Sequence, residues 1–405
     1  MKRAIADCLI SPMVRDQNTC GALRLKSQHR GVALISILLI LAVLATLAIY
    51  TAEDQSLAIR RVENIGLAEQ GYQVNLSGEQ WVVKVLEKDM TDDQLNSNEA
   101  SAIIDHRGEI WGNLGPPVEV GDTGTLLLMT VDDLQGRLNI NNLVEGKQRD
   151  QNQQNQEQQS PDQSNNNAGG DENNTENDPD EEEEEPVYWY QIFQNLLVSL
   201  ELNPELVDPM IDWVDNDENT IGTTGAEDFF YTGLEIPYRS ANRGIASVSE
   251  IANIKDFNRQ IIAALLPWVS ALPVANSESL VSVNVNTASA RVLALFSAEQ
   301  PVDPAMLEPL ILRRNSVPFQ SLDEFREQFL ALIPGDLVPG YEDMLSVNSS
   351  FYAGHSCAES GRVKFSMFSL MQKLTPENNV KVLQRERFFG CPAFGATETE
   401  NSEPG

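Results

Sequence analysis

The spacing of apolar residues changes several times along this chain. From Val32 to Tyr50 the only polar side chains are Ser36 and Thr46, and the run stops at Glu53 and Asp54. A helix needs about 20 apolar residues to cross a bilayer core, so this run is just long enough. Beyond it, Ala58, Val62, Ile65, Tyr72, Leu76, Val83 and Leu86 recur by threes, fours and sevens. That period predicts one amphipathic helix continuing to about residue 88. Gly66, Gly71 and Gly78 each cost it up to about 1 kcal/mol, so one face must be packed.

Residues 89–145 change character. "TLLLMTVDDLQGRLNINNLV" has β-type apolar stretches around a polar turn at Asp132 to Gly136, which predicts two strands or one strand with a bulge. Residues 146–186 are Gln, Asn and acid with almost nothing apolar. Such a segment cannot offset the entropy of ordering and reads as a disordered loop. From 187 to 343 short amphipathic segments follow one another, two of them around Pro204. Ser247 with Glu250 and Ser321 with Glu324 have the spacing of capping boxes, and Asn286 or Thr287 can cap a helix from Ala288. Residues 344–391 alternate and are rich in β-branched and aromatic types, which predicts antiparallel strands. The tail, 392–405, reads as disordered. β pattern therefore flanks the helical block. The expected class is α+β: a long N-terminal helix, an antiparallel sheet, and a large mainly α domain inserted between its strands.

Arg24, Lys26, His29 and Arg30 precede the apolar run and acids follow it. Lysine and arginine stay on the cytoplasmic side, so the N-terminus is expected inside, residues 32–50 in the membrane and the bulk of the chain across it. Three readings of the run stay open. It can be a secretory signal cut near Ala52, or a plain anchor. The order of basic stretch, Gly31, apolar run and continuing helix resembles the prepilin signal of type IV pilin-like proteins. There residues 1–31 are a leader, removed after the glycine, and the helix is kept. With Val32 as first residue, Ser36 is the fifth, where most pilins and pseudopilins carry glutamate. A carboxylate at membrane depth costs about 2.5 to 3.5 kcal/mol and is tolerable when a neighbouring subunit's amino group pairs with it. Serine carries no charge and can bond to its own helix backbone. That hints at a subunit with nothing stacked above it, or simply at a tolerated polar residue.

The formal charge is −32 over 405 residues. This argues against nucleic acid as a partner and is compatible with divalent cations. Cys8 and Cys20 fall in the leader. Cys357 and Cys391 fall in the part placed outside, where an oxidising compartment lets them pair; two free thiols are the alternative. Zinc is disfavoured, because only His355 is near and no CxxC occurs.

The densest chemistry is "IDWVDNDENTIGTTGAEDFFY". Asp212, Asp215, Asp217, Glu218, Glu227 and Asp228 crowd a glycine-containing loop. Calcium takes six to eight oxygens from carboxylates and carbonyls, and this loop can supply them; Asn242 can add another. The spacing is not that of an EF-hand. A solvated acidic loop with helix-capping aspartates explains the same residues. The flanking Trp213, Phe229, Phe230 and Tyr231 suggest a loop held against a core, which favours a site. Catalysis has no support in the pattern: His106 and His355 lie apart, and there is no G-x-S-x-G, HExxH or phosphate loop. "VNVNTASARVLALF" is similar to the opening of helix-hairpin-helix modules, but no G-x-G hairpin or lysine follows, so a DNA role is not expected.

Taken together, "RGVALISILLILAVLATLAIYTAED", "VDDLQGRLNINNL", "PELVDPMIDWVDND", "GAEDFFYTGLEIPYRSANRGIASVSEI" and "VNVNTASARVLALF" resemble the K-type minor pseudopilins of bacterial type II secretion. The acid-rich insert and the long leader depart from the pattern, and Met13 is a candidate start. The resemblance implies a pilin-like domain formed by 89–145 and 344–391, with 187–343 inserted, at the tip of a periplasmic pseudopilus. It implies assembly with I- and J-type minor pseudopilins, other pseudopilins and the inner-membrane secretion platform, initiation and length limitation of the pseudopilus, and support for export of folded proteins. It implies cleavage by the prepilin peptidase after Gly31, methylation of Val32, no enzymatic activity, a single pass through the inner membrane with the bulk of the chain in the periplasm, and calcium held by Asp215, Asp217, Glu227 and Asp228, joined by Asp212 and Asn242. The alternative is a single-span periplasmic binding or scaffold protein outside any filament.

Overall fold

The computed structural model describes residues 30–96, 103–121, 124–145, 189–274, 280–361, 363–375 and 377–391. The expected disordered loop at 146–186, the leader up to residue 29 and the tail from 392 lie outside them. Helix α1 runs Arg30–Asn96, past residue 88. Lys88 at the start of this extension pairs with Asp92 at i, i+4, and Lys84 just before it pairs with Glu87 at i, i+3, which favours helix. The chain divides into two units at Gly66 and Leu67. In the first unit α1 is exposed throughout its described side chains, including Ser36. Among the described residues it is the one helix long and apolar enough to cross a membrane. Gly31 and Val32 lie in its first turn.

In the second unit a five-stranded sheet is built from β1 (Val118–Val120), β2 (Thr125–Asp133), β7 (Phe351–Ser360), β8 (Val363–Leu374) and β9 (Asn379–Phe389), in that spatial order. Every neighbouring pair is antiparallel. The sheet forms because alternate residues of β2, β7 and β8 are apolar on one face, and α1 covers that face. Val74, Val82, Leu86 and Met90 of the helix pack on Leu127, Met129, Tyr352 and Met371. The glycines are explained by this contact. A Cβ on Gly71 would collide with the Phe365 ring, and one on Gly78 would crowd Leu127 and Met129, whereas Gly66 faces nothing within 4 Å. Buried Glu79 accepts both Arg385 Nε (2.6 Å) and Ser369 Oγ (2.7 Å). Burial alone would raise its pKa, but the Arg385 and Ser369 bonds outweigh that and hold it below the usual range.

Between β2 and β7 the chain makes a mainly helical region: α2 (Trp189–Ser199), α3 (Val207–Val214), α4 (Asp228–Thr232), α5 (Arg259–Leu265), α6 (Ala290–Ala294), α7 (Glu308–Ser316), α8 (Leu322–Leu330) and α9 (Tyr341–Met344). Their apolar faces share one core with Leu138, Ile140 and Leu143, so the segment after β2 belongs to the helical region by packing. Two short parallel ladders stitch that region: β3 (Leu138–Asn139) with β4 (Val269–Ser270), and β5 (Val283–Asn284) with β6 (Leu345–Ser346). The fold is α+β with the helical region inserted between sheet strands.

Some local expectations change. Ser247 caps a 3-10 turn, Val248–Asn253, rather than an α-helix. Ser289, not Asn286 or Thr287, caps α6. Those two are drawn into a buried network instead: Asn286 Nδ2 donates to Phe319 O (3.0 Å) and Thr287 Oγ1 to Asp133 Oδ2 (2.5 Å). Ser321 does cap α8, and Glu324 accepts from Gln320 N (2.9 Å). Cys357 in β7 is bonded to Cys391 just after β9, Cα to Cα 5.7 Å, spanning β8.

Candidate metal centre

Helix α3 is amphipathic by sequence and fully buried in the structure. Asp212 sits on it, and Asp215 ends it with extended backbone at the C-cap. The chain then loops out and returns at Glu227, the N-cap of α4. These three carboxylates are 0, 4 and 3 % exposed, and one oxygen of each lies within 4.8 Å of the others. The loop is folded tightly against them. Ile221 N donates to Asp212 Oδ1 (3.0 Å), and a Cβ on Gly225 would collide with the same carboxylate. Thr224 Oγ1 donates to Asp208 Oδ2 (2.6 Å), as Tyr190 does to Oδ1 (2.9 Å). Lys255 Nζ donates to Thr224 O (2.9 Å) and stands 5.1 Å over the Phe230 ring.

An aromatic floor supports the returning helix. Trp213 and Tyr231 meet edge to face at 5.2 Å, and Tyr238 lies 5.2 Å from Tyr231. Burial pushes the Tyr231 hydroxyl well above its ordinary pKa, with Asp212 and Glu227 pushing the same way, so it stays a neutral hydrogen-bond partner. Phe229 departs from the expected flank: it is 94 % exposed. On a five-residue helix its position falls on the side away from Tyr231, which takes the core slot.

The remaining expected ligands are placed differently. Asn242 has φ 45°, donates Nδ2 to Asp217 O (3.5 Å), and keeps a buried Oδ1 with no hydrogen-bond partner among the described residues. Asp217 is half-buried, and its carboxylate accepts Asn219 N (2.7 Å) in a local turn. Asp228 is outside the group of three. Its Oδ1 accepts Ser240 N (2.9 Å) and Oγ (2.8 Å), and Oδ2 lies 3.3 Å from Arg239. A residue one position after an N-cap points along the helix side, which takes Asp228 away from Glu227. The structure thus brings Asp212, Asp215 and Glu227 together, while the Asn242 amide reaches the Asp217 carbonyl. Hard oxygen donors of this kind suit a hard divalent cation, and buried like charges this close favour one.

A second buried constellation carries no local sequence signal. Lys373 of β8 donates to Asp105 and to Asp89 (2.9 Å). Tyr352 Oη donates to Asp105 Oδ1 (2.6 Å), and Ser349 N to Asp105 Oδ2 (2.7 Å). Beside it Asn284 Nδ2 donates to Asp105 O, Ser349 Oγ and Asp133 Oδ2 at 2.9, 2.8 and 3.2 Å. Lys373 and Asp89 are 284 positions apart, so no window of sequence shows the pair.

Comparison with known proteins places the chain. The family model for type II secretion system protein K matches residues 136–274. The type II secretion system protein K of Pseudomonas aeruginosa is 33% identical over 313 residues, 75% of this chain and 78% of that one. That of Aeromonas hydrophila is 28% identical over 363 residues, 88% and 96%. Among solved structures, the GspK-GspI-GspJ complex from the enterotoxigenic Escherichia coli type 2 secretion system contains a chain with a similar fold. Its TM-score is 0.59 at 18% identity, over 81% of this chain and 99% of that one. The chain belongs to the type II secretion system protein K family, the K-type minor pseudopilins.

Proposed function

We propose that this chain stands at the tip of a periplasmic pseudopilus, initiating its assembly with I- and J-type minor pseudopilins, limiting its length, and supporting export of folded proteins across the outer membrane. The observation that carries this reading is Ser36, an uncharged residue inside the apolar stretch of α1, in a chain of the K family. A subunit that needs no partner above it has no use for a buried carboxylate there. In this reading the prepilin peptidase cuts after Gly31, Val32 becomes the methylated terminus, and residues 32–50 hold the chain in the inner membrane with its bulk in the periplasm. Other pseudopilins and the secretion platform are its further partners. Calcium is held by Asp212, Asp215 and Glu227, with Asn242 and the Asp217 carbonyl at the rim. It would neutralise the buried carboxylates and fasten the loop to the helical region.

Mass spectrometry of the membrane-bound chain tests the reading, with and without the host's prepilin peptidase. A methylated Val32 terminus that disappears with the peptidase supports it. A terminus at Met1 or Met13 leaves a plain anchor, and a cut near Ala52 leaves a released protein; either removes the pseudopilus. The tip position is tested by Ser36→Glu, which is expected to allow growth beyond this subunit and to lengthen or destabilise pseudopili.

A further inference from the structure

The cluster around Lys373 has more negative groups than its one ammonium can balance. Asp89 and Asp93 come from the end of α1, whose last turn carries no basic residue to face the helix dipole, while Asp92 beside them pairs with Lys88. Asp105, His106 and Glu109 come from the segment before β1, Asp133 from the end of β2, Tyr352 from β7 and Lys373 from β8. Lys373 bonds Asp89 and Asp105 and stands 4.7 Å over the Tyr352 ring. Among the described residues it makes no bond to Asp93 or Glu109. The buried Oδ2 of Asp93 has no hydrogen-bond partner among the described residues. Glu109 receives Trp111 Nε1 (2.6 Å) and His106 N (3.3 Å) on one oxygen, and its other oxygen lies 3.6 Å from His106 Nε2.

We propose that this cluster is a proton-operated latch: a proton held on the carboxylates around Lys373 keeps the last turns of α1 and the segment 105–111 clamped to β8, and its loss releases them. The titration that accompanies this geometry has a definite order. Burial, then the charges of Asp89 and Asp105, raise Glu109 to about 8. Burial, then Asp89 and Asp105, raise Asp93 to about 6. Asp89 and Asp133 are raised as well, mainly by burial. Burial lowers His106, so it acts with the opposite sign, below its ordinary 6.5. Lys373 is held charged and Tyr352 neutral throughout.

A carboxyl whose pKa is raised in the closed state binds more proton there than in the opened state. Rising pH therefore favours opening between the ordinary carboxylate range and the raised value, and stops doing so above it. The raised value of Glu109 places its proton inside the window from pH 6.5 to 8.

The test is hydrogen–deuterium exchange of the full chain in detergent micelles, corrected for intrinsic exchange at each pH. Peptides covering 86–96 and 105–112 are followed, with α8 as reference. One linked proton raises the opening equilibrium by up to about tenfold per pH unit. We expect that slope from pH 6.5 to 8, flattening above 8. Glu109→Gln is expected to abolish it while α8 keeps its protection. A wild-type chain without the slope, or Glu109→Gln with the slope intact, overturns the latch. If Glu109→Gln also loses α8 protection, Asp93→Asn decides in its place. A shallower dependence below pH 6 supports the latch, and an unchanged one overturns it.

Discussion

Replacing Asp215 by asparagine is expected to change stability in opposite directions with and without calcium. The carboxylates of Asp212, Asp215 and Glu227 lie within 4.8 Å of one another, and two unit charges at such a distance repel by about 3.5 kcal/mol at an effective dielectric of about 20. Without a cation, each charge removed from the group relieves strain. Asp215→Asn, which keeps size and shape, is then expected to raise the melting temperature in chelator. With calcium the sign reverses. A ligand at about 100 times its Kd stabilises the folded state by about 2.7 kcal/mol. For a domain of this size that is roughly 5 to 10 °C. The substitution removes one anionic ligand and with it most of that increment. The assay is thermal unfolding of wild type and variant in chelator, in calcium and in magnesium. The reasoning is refuted if Asp215→Asn lowers the melting temperature equally in chelator and in calcium, because that is a fold defect without a metal. It is also refuted if the wild-type curve ignores calcium.

Other consequences are as direct. Gly71→Val should cost about 1 to 3 kcal/mol, since the added side chain must displace the Phe365 ring; chemical denaturation reads it, and an unchanged midpoint would mean the helix is not seated on the sheet this closely. Asn284→Ala strips one donor from Asp105, Asp133 and Ser349 together and should cost about 2 to 4 kcal/mol, since buried acceptors lose their partner. Replacing Cys357 and Cys391 by serine opens a link with a sequence separation of 34 and should cost about 3 to 4 kcal/mol by loop entropy. Both cysteines should resist alkylation until the protein is reduced.

What the sequence revealed tracks the range of each interaction. The apolar run, the helix period and the alternating strands are set by neighbours within a turn or a pleat, so the elements of the sheet and the order of β before and after the helical block were legible. The acidic loop was legible as a group because Asp212, Asp215 and Glu227 lie close in the chain. Which acids share a centre was not, because Asp228 is turned away by Arg239 and Ser240 of another loop. Capping failed at Asn286 and Thr287 for the same reason: distant Phe319 and Asp133 claimed their side chains. Lys373 was invisible, since a lysine in an alternating strand normally marks the solvent face. Here it answers carboxylates that only the folded chain brings near.

The insertion between β2 and β7 also sets an order of events during folding. Ser349 and Asp133, hydrogen-bonded at 2.6 Å at the mouth of the helical region, are 216 positions apart. Closing an unstructured loop of that length carries a large entropic cost, and long-range strand pairing is slow on that account. A helical region that condenses first collapses the loop before the strands must meet. It then delivers Asp133 and Ser349 side by side through its own β5 and β6 ladder. The inserted block is in this sense the template on which the sheet is completed, and a lesion in its core should delay the pairing of β2 with β7 even where no residue of the sheet has been touched.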